Sequence, residues 1–281
     1  MYTFYLTSKS KENIEETHDL KTFVGFYNCR YFLTKEGEAN DPVLYSTARS
    51  RRGVTQNSYL VEQQIDGILN NGIRSEKDVM KILAWKIGKI KHKKSQIDLA
   101  KGKNIAYHSD WEKAEECDVK RYGKEWKEIK PFAKYIADNI CHLEKLAAND
   151  RPIEVLSELR QAQDCLKLKW IGPVYLLTLL YFISKGNYPI YDQFAHYALK
   201  AIEEQKSFTE QQYTTDDINC EVDQTADLER FFSTYKEKYL KRLQDIFQDE
   251  YKNRDVDRAL WVYGHLYKDR KTKTDKTTSN K

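Results

Sequence analysis

Apolar side chains recur along most of this chain with the three- and four-residue spacing of amphipathic helices. One such stripe lies over residues 57–71 and stops at Asn71-Gly72, a common helix end. The same spacing predicts helices over later stretches, namely residues 75–88, 126–146, 153–168, 192–204, 226–251 and 255–267. Residues 173–184 are apolar on every side, which is typical of a helix enclosed by its neighbours. We therefore predict an all-α fold.

The N-terminal part has a less regular pattern. Residues 23–33 are dense in aromatic side chains, which fits either a pair of strands or a buried helix, and we favour the helix. We predict that residues 1–56 form an extension packed on a helical body of residues 57–267. The Lys- and Thr-rich residues 268–281 are expected to form a disordered basic tail.

Composition supports a folded helical protein, because the 281 residues include only 11 Gly and 5 Pro. The 5 cysteines are widely spaced and contain no C-x-x-C pair, so neither a zinc ribbon nor an iron–sulfur ligand set is present. The longest apolar run, residues 174–183, is too short to span a bilayer, and the N-terminus lacks the features of a signal peptide. We expect a cytoplasmic protein without a metal, a cofactor or a membrane partner.

Positive charge is concentrated in one segment of the chain. Residues 81–103 contain eight Lys and one Asp, whereas the net charge of the whole chain is only +4. Such a run is compatible with a solvated helix face followed by a basic loop, and also with a surface that binds phosphate.

Residues 170–192 form the segment from which we predict a chemical function. A helix that ends near Leu168, a tight turn at Gly172 and a proline at position 173 together indicate a helix-hairpin-helix. Backbone N–H groups at the start of the second helix are available to a phosphate oxygen, a contact that requires no particular base. A short extended stretch then leads to Asp192 at the start of the next helix.

This segment resembles the helix-hairpin-helix DNA glycosylase superfamily, in which the hairpin Gly is followed by an apolar helix, a Pro and the catalytic Asp. Pro189 and Asp192 stand 17 and 20 residues after Gly172, as in the adenine-glycosylase and endonuclease-III-like branches. The resemblance implies a two-lobed helical fold with Asp192 as the catalytic residue. Its carboxylate would stabilise the positive charge that develops on the sugar and would align or deprotonate water. The alternative role of Asp192 is a helix N-cap, and the two roles are compatible.

Departures from the family pattern narrow the expected activity. Trp170 replaces the first Gly of the hairpin. Val174 stands where the strand-cleaving branches have a lysine, which implies a monofunctional enzyme that uses water and leaves an intact abasic site. The four-cysteine cluster motif is absent, because only Cys220 follows Asp192.

The resemblance also implies DNA contacts. Glu62-Gln63-Gln64 is similar to the double-Gln segment that approaches the damaged pair, so Gln63 and Gln64 are candidates to fill the gap left by a flipped base, or else are exposed polar residues. Trp85 is expected in the core rather than as a stacking platform. The remaining candidates for DNA binding are Gly172, Val174, Lys86, Lys89, Lys91, Lys93 and Lys94. Tyr191 and Tyr59 are the candidates for the base pocket.

The N-terminal half is similar to glycosylase-derived helical proteins of phage and bacterial conflict systems, which handle hypermodified pyrimidines. We therefore expect a monomeric DNA N-glycosylase that excises a modified or damaged base, with hypermodified phage pyrimidines as candidate substrates in antiviral defence. Two alternatives remain open. One is a base-modifying relative of the hydroxymethyluracil kinase or thymine-adduct pyrophosphorylase type. The other is a helix-hairpin-helix module that binds DNA without catalysis.

Overall fold

The computed structural model describes residues 1–7, 13–31, 59–87, 129–168, 171–207 and 227–267. Several predictions therefore fall outside the described residues. They concern Lys89, Lys91, Lys93 and Lys94, most of the second half of the N-terminal extension, and the tail 268–281.

The described part of the chain is mainly helical, as predicted. Its first eight helices are α1 Leu20–Tyr31, α2 Tyr59–Asn71, α3 Glu76–Ile87, α4 Lys130–Asp138, α5 Ile140–Ala148, α6 Pro152–Cys165, α7 Pro173–Ile183 and α8 Gln193–Glu203. Prolines occupy the first turn of α4, α6 and α7, where the missing N–H removes no helical hydrogen bond. The helix favoured for the aromatic N-terminal block is confirmed as α1.

The C-terminal part is more irregular than its pattern predicts. It begins with α9 Leu228–Tyr235, continues as a π-helical segment Lys236–Leu240 and α10 Lys241–Phe247, and ends in a 3-10 turn Gln248–Lys252 before α11 Arg254–Tyr267. The continuous helix predicted over 226–251 is therefore wrong in detail. The backbone leaves the helical region at Gln248, where φ is 48°.

Two further expectations need correction. The single helix predicted over 126–146 is divided at Asn139, whose φ of −106° and ψ of 9° end α4 and begin α5. The Asn139 side-chain amide donates to the Tyr135 carbonyl at 2.8 Å, a local bond that competes with the helix.

The all-α prediction also missed a two-stranded antiparallel sheet of β1 Phe4–Thr7 and β2 Ile14–Thr17. Four-residue strands are too short to leave a clear sequence pattern.

Helix α11 is the centre of the packing. On one side Tyr263 meets the rings of Phe23 and Tyr27 from α1, each at a centroid distance of 5.1 Å. On another side Gly264 lies so close to α8 that an added Cβ would overlap the Phe194 carbonyl oxygen. Helix α7 is buried along almost its whole length, as its apolar composition predicts. None of the described helices is long and apolar enough to cross a membrane.

Candidate active site

A fixed extended segment positions Asp192. Helix α7 ends with the Gly186 N–H donating to the Tyr181 carbonyl at 2.8 Å, and Gly186 has a φ of +89°, which only glycine adopts without strain. The chain then runs extended into Asp192, whose φ of −138° and ψ of 140° precede the first turn of α8.

Three consecutive carbonyl groups of this segment accept hydrogen bonds from other elements. The Tyr235 hydroxyl donates to the Pro189 carbonyl at 2.7 Å, and the Tyr239 hydroxyl donates to the Ile190 carbonyl at 3.0 Å. The Lys86 ammonium donates to the Tyr191 carbonyl at 3.1 Å. Because both tyrosines are buried, these bonds are shielded from water and hold the backbone next to Asp192.

The Asp192 carboxylate has two contacts. Its Oδ1 accepts from the Phe194 N–H at 2.8 Å, so the residue is the N-cap of α8. Its Oδ2 lies 3.5 Å from the Lys86 Nζ. The side chain is still 24% exposed, so the cap leaves the carboxylate reachable from solvent.

A small cavity opens beside this carboxylate. Its volume is about 40 Å³, which is enough for one or two water molecules. The walls carry two acids and two bases among aromatic side chains. They are formed by Tyr31, Trp85, Lys86, Ile190, Asp192, Arg254, Asp257 and Trp261.

A buried ionic cluster supports one wall of the cavity. Glu62 has no solvent exposure, and its carboxylate accepts from Tyr31 at 2.9 Å and from Trp85 at 2.7 Å. Arg254 and Arg258 each donate to it at 3.0 Å. The four donors lie on α1, α3 and α11, so one carboxylate of α2 connects these helices.

The arginines of the cluster remain charged. Burial by itself lowers the pKa of the Arg258 guanidinium, but the carboxylates of Glu62 and Asp66 more than reverse this and raise it. Arg258 donates to both carboxylate oxygens of Asp66 at 2.6 Å, and Arg254 pairs with Asp257. The buried charges are thus compensated within the cluster.

The structure places Lys86 inside the cavity. The sequence predicts this residue on a DNA-binding surface, but its side chain is only 11% exposed and its ammonium faces Asp192. Burial lowers the pKa of Lys86, Asp192 opposes this shift, and Arg254 adds to it.

The predicted hairpin lies apart from the cavity walls. Gly172 is the N-cap of α7 with a φ of −75° and a ψ of 172°, a conformation open to any residue, and a Cβ there would meet no atom of the described residues within 4 Å. The turn is therefore not tight enough to require glycine. The Gln163 amide braces it by donating to the carbonyls of Leu168 at 2.9 Å and Ile171 at 2.6 Å. Val174 is partly buried in the first turn of α7.

The other predicted site residues lie elsewhere. Gln63 is exposed, and Gln64 accepts from Lys81 at 3.1 Å, and neither is a wall residue of the cavity. The Tyr191 ring is buried against Tyr239 at a centroid distance of 5.1 Å, so it belongs to the core rather than to the cavity wall.

The two remaining aromatic residues of the prediction lie on α2 and α3. Tyr59 begins α2, and its side chain lies outside the described residues. Trp85 is 6% exposed and hydrogen-bonded to Glu62, which confirms its expected place in the core.

Several residues of the site were not anticipated. The pairs Glu62 and Asp66 on α2 and Arg254 and Arg258 on α11 both have i,i+4 spacing, a detectable sign of two facing charged stripes. Tyr235 and Tyr239 have the same spacing. Helix packing decides which of these pairs face each other, and no local sequence pattern indicates it.

No three His, Cys, Asp or Glu side chains form a possible metal site within the described ranges. The chain matches no family model, no curated protein and no solved structure.

Proposed function

We propose that this protein is a DNA N-glycosylase that flips out a modified or damaged base, hydrolyses its N-glycosidic bond and leaves an abasic site. We expect hypermodified pyrimidines of phage DNA as the substrate class. The observation that supports the proposal most directly is the partly exposed Asp192 carboxylate, which lines a cavity and stands on a rigidly braced segment.

The chemistry of base removal needs such a group. Cleavage of the bond between the sugar C1′ and the base builds positive charge on the sugar, and a nearby carboxylate stabilises that charge. A carboxylate already held in place by the Phe194 N–H and the carbonyl network loses little energy to reorganisation when the charge develops. Asp192 also lines a cavity with room for a water molecule, and such a water would attack C1′.

Substrate binding must enlarge the cavity. A volume of about 40 Å³ admits water but not a nucleobase. Lys86 and Trp261 form part of the wall, and Trp261 is only partly buried, so rearrangement of these side chains would admit a flat ring.

A second candidate is a DNA-binding module without catalysis. The bond from Phe194 and the ion pair with Lys86 engage both oxygens of Asp192, which is what a purely capping aspartate requires. The small volume of the cavity is also consistent with a site that receives no base.

Base release decides between the two candidates. Duplexes with natural and phage-modified bases are incubated with the full chain, and alkali-dependent strand breakage reports abasic sites. The wild type is expected to release at least one modified base. Asp192→Asn is expected to lose this activity while it keeps DNA affinity, because the change removes a charge needed mainly in the transition state.

The chain offers a matched control for Asp192→Asn. Asp227 caps α9 by accepting from the Arg230 N–H at 2.8 Å, the same distance as at Asp192. Asn is as good an N-cap as Asp, so both variants should remain folded. Asp227→Asn is expected to keep wild-type base release. If both variants keep it, Asp192 is only a cap and the catalytic assignment is wrong.

A further inference from the structure

Lys86 is placed to act on a ligand in the cavity as well as on Asp192. An ammonium group has three N–H bonds, and its acceptors in the described residues are the Tyr191 carbonyl at 3.1 Å and Asp192 Oδ2 at 3.5 Å. The third N–H has no acceptor within the part of the chain that the structure describes. Because Lys86 lines the cavity, that N–H remains for a bound group.

Apart from Asp192, whose carboxylate is the proposed proton acceptor, the other ionisable groups of the cavity wall are poor proton donors at neutral pH. These groups are Tyr31 from α1, and Arg254 and Asp257 from α11. Burial, and then the charge of Glu62, raise the pKa of Tyr31 well above 10, and its hydroxyl donates to Glu62. Asp257 is paired with Arg254, and a guanidinium keeps its proton at neutral pH.

Lys86, by contrast, releases its proton more readily than an ordinary lysine. Burial lowers the pKa of its ammonium below the ordinary value, and Arg254 acts in the same direction, while Asp192 limits the shift. A lysine with a lowered pKa is a better proton donor than an ordinary lysine.

We propose that Lys86 is the general acid that protonates the departing base. This role rests on the proposed glycosylase function. The C1′–N bond breaks with its electron pair left on the base nitrogen, which takes a proton from the Lys86 ammonium. Water forms the new bond to C1′ and gives its proton to Asp192. The proton then passes from Asp192 to the neutral Lys86 amine, 3.5 Å away, and the ion pair is restored.

The first test needs no substrate. The full chain is labelled with [13C]lysine, and the side-chain NMR signals are followed from pH 6 to pH 11, with the Lys86 signal identified by its loss in Lys86→Arg. We expect Lys86 to titrate at a lower pH than exposed lysines, and lower again in Asp192→Asn, because Asp192 raises its pKa. A Lys86 signal that titrates together with the exposed lysines overturns the proposal.

The second test is the pH dependence of single-turnover base release, on the DNA that the wild type cleaves best. The wild-type rate should fall as the pH rises through the pKa measured for Lys86. Lys86→Arg keeps the charge but cannot release the proton. Its rate of base release should therefore be reduced by at least about 100-fold and should not show the alkaline decline. Lys86→Met should be at least as slow. Lys77→Met, at an exposed position of α3, is the control and should match the wild type.

The outcomes separate the donor role from its competitors. If Lys86→Arg has the wild-type rate and alkaline decline, Lys86 only positions Asp192 and the donor role is wrong. If borohydride traps a covalent DNA adduct at Lys86, the residue is a nucleophile and the donor role is again wrong. If the wild type releases no base from any DNA, the glycosylase proposal itself fails and the donor role is rejected with it.

Discussion

At the scale of single residues, Glu62 shows how this protein keeps a charge in its interior. Its carboxylate has no exposure and is matched by two guanidinium groups, a tyrosine hydroxyl and an indole N–H. Trp85 and Arg254 belong both to this cluster and to the cavity wall. The cluster therefore fixes part of the wall that faces Asp192.

Glu62→Gln tests this residue. The change leaves Arg254 and Arg258 buried with too little negative charge, so we expect a loss of about 3–5 kcal/mol in the free energy of unfolding. Urea denaturation of the full chain measures it. Glu154→Gln is the control, since Glu154 is exposed and its pair with Arg151 is worth at most about 0.5 kcal/mol. Equal effects of the two changes would contradict a structural role for the Glu62 cluster.

At the scale of elements, the extended segment before α8 depends on two helical turns that lie far along the chain. Tyr235 ends α9, and Tyr239 lies in the π-helical segment, so both hydroxyls reach successive carbonyls of the extended segment. A π-helical turn changes the angular spacing of side chains. The irregular helix is thus connected directly to the placement of Asp192.

Tyr239→Phe removes one of these bonds without removing the ring. We expect a loss of about 1 kcal/mol in stability and a fall of about tenfold in the rate of base release, because a carboxylate held less firmly is positioned less well. Thermal unfolding and single-turnover assays measure the two effects. Tyr267→Phe removes the 2.8 Å bond to the Lys206 carbonyl and the 3.1 Å hydrogen bond shared with the Tyr263 hydroxyl, so it should lower stability at least as much and leave the rate unchanged.

The crossing of α8 and α11 is the second feature at this scale. Gly264 allows the backbones to approach until an added Cβ would overlap Phe194, the second residue of α8. The crossing therefore fixes the position of the N-terminal turn of α8, which Asp192 caps.

Gly264→Ala is expected to destabilise the fold by about 3 kcal/mol, because neither backbone can yield easily. Gly67→Ala is the contrasting change. Gly67 lies inside α2, and outside the helix backbone no atom of the described residues is within 4 Å of an added Cβ, so alanine there should raise stability by about 0.5–1 kcal/mol through its better helix propensity. Chemical denaturation gives both values, and the same sign for the two variants would contradict the close crossing.

At the scale of the whole molecule, segregated charge supports the proposal of a DNA partner. The run of lysines in residues 81–103 begins in α3, which also carries Trp85 and Lys86 to the cavity, so the proposed basic surface starts next to the candidate active site in sequence. Lys86 itself belongs to the cavity, which leaves the later lysines as the candidates for phosphate contact.

Replacement of Lys89, Lys91, Lys93 and Lys94 by alanine tests that surface. Each lysine that neutralises a phosphate steepens the log–log dependence of affinity on salt by about 0.9, so the quadruple variant should bind duplex DNA with a flatter slope. The identity of the released base should not change. Fluorescence anisotropy at several salt concentrations gives the slope, and an unchanged slope and affinity would show that this run is only solvated.

The amino-acid sequence was sufficient to predict the elements that have strong local signals. The apolar spacing predicted most helices, and Pro173 marked the start of α7. Asp192 was identified as a candidate by the spacing of Gly172, Pro189 and Asp192, which resembles that of a known superfamily, and its alternative role as an N-cap was predicted from adjacent residues. The helix boundaries and the cap depend on contacts within about one helical turn, which a linear pattern records.

Tertiary structure alone decided what surrounds Asp192. Lys86 is 106 residues away in sequence, and Glu62 is 192 residues from Arg254, so no local pattern could pair them. In the sequence, Lys86 is one of several lysines in a basic run. In the folded protein its side chain is buried beside the Asp192 carboxylate, and burial lowers its pKa. The physical reason is that burial and charge compensation arise only when distant helices pack together, and they decide whether a charged side chain is solvated or belongs to a site.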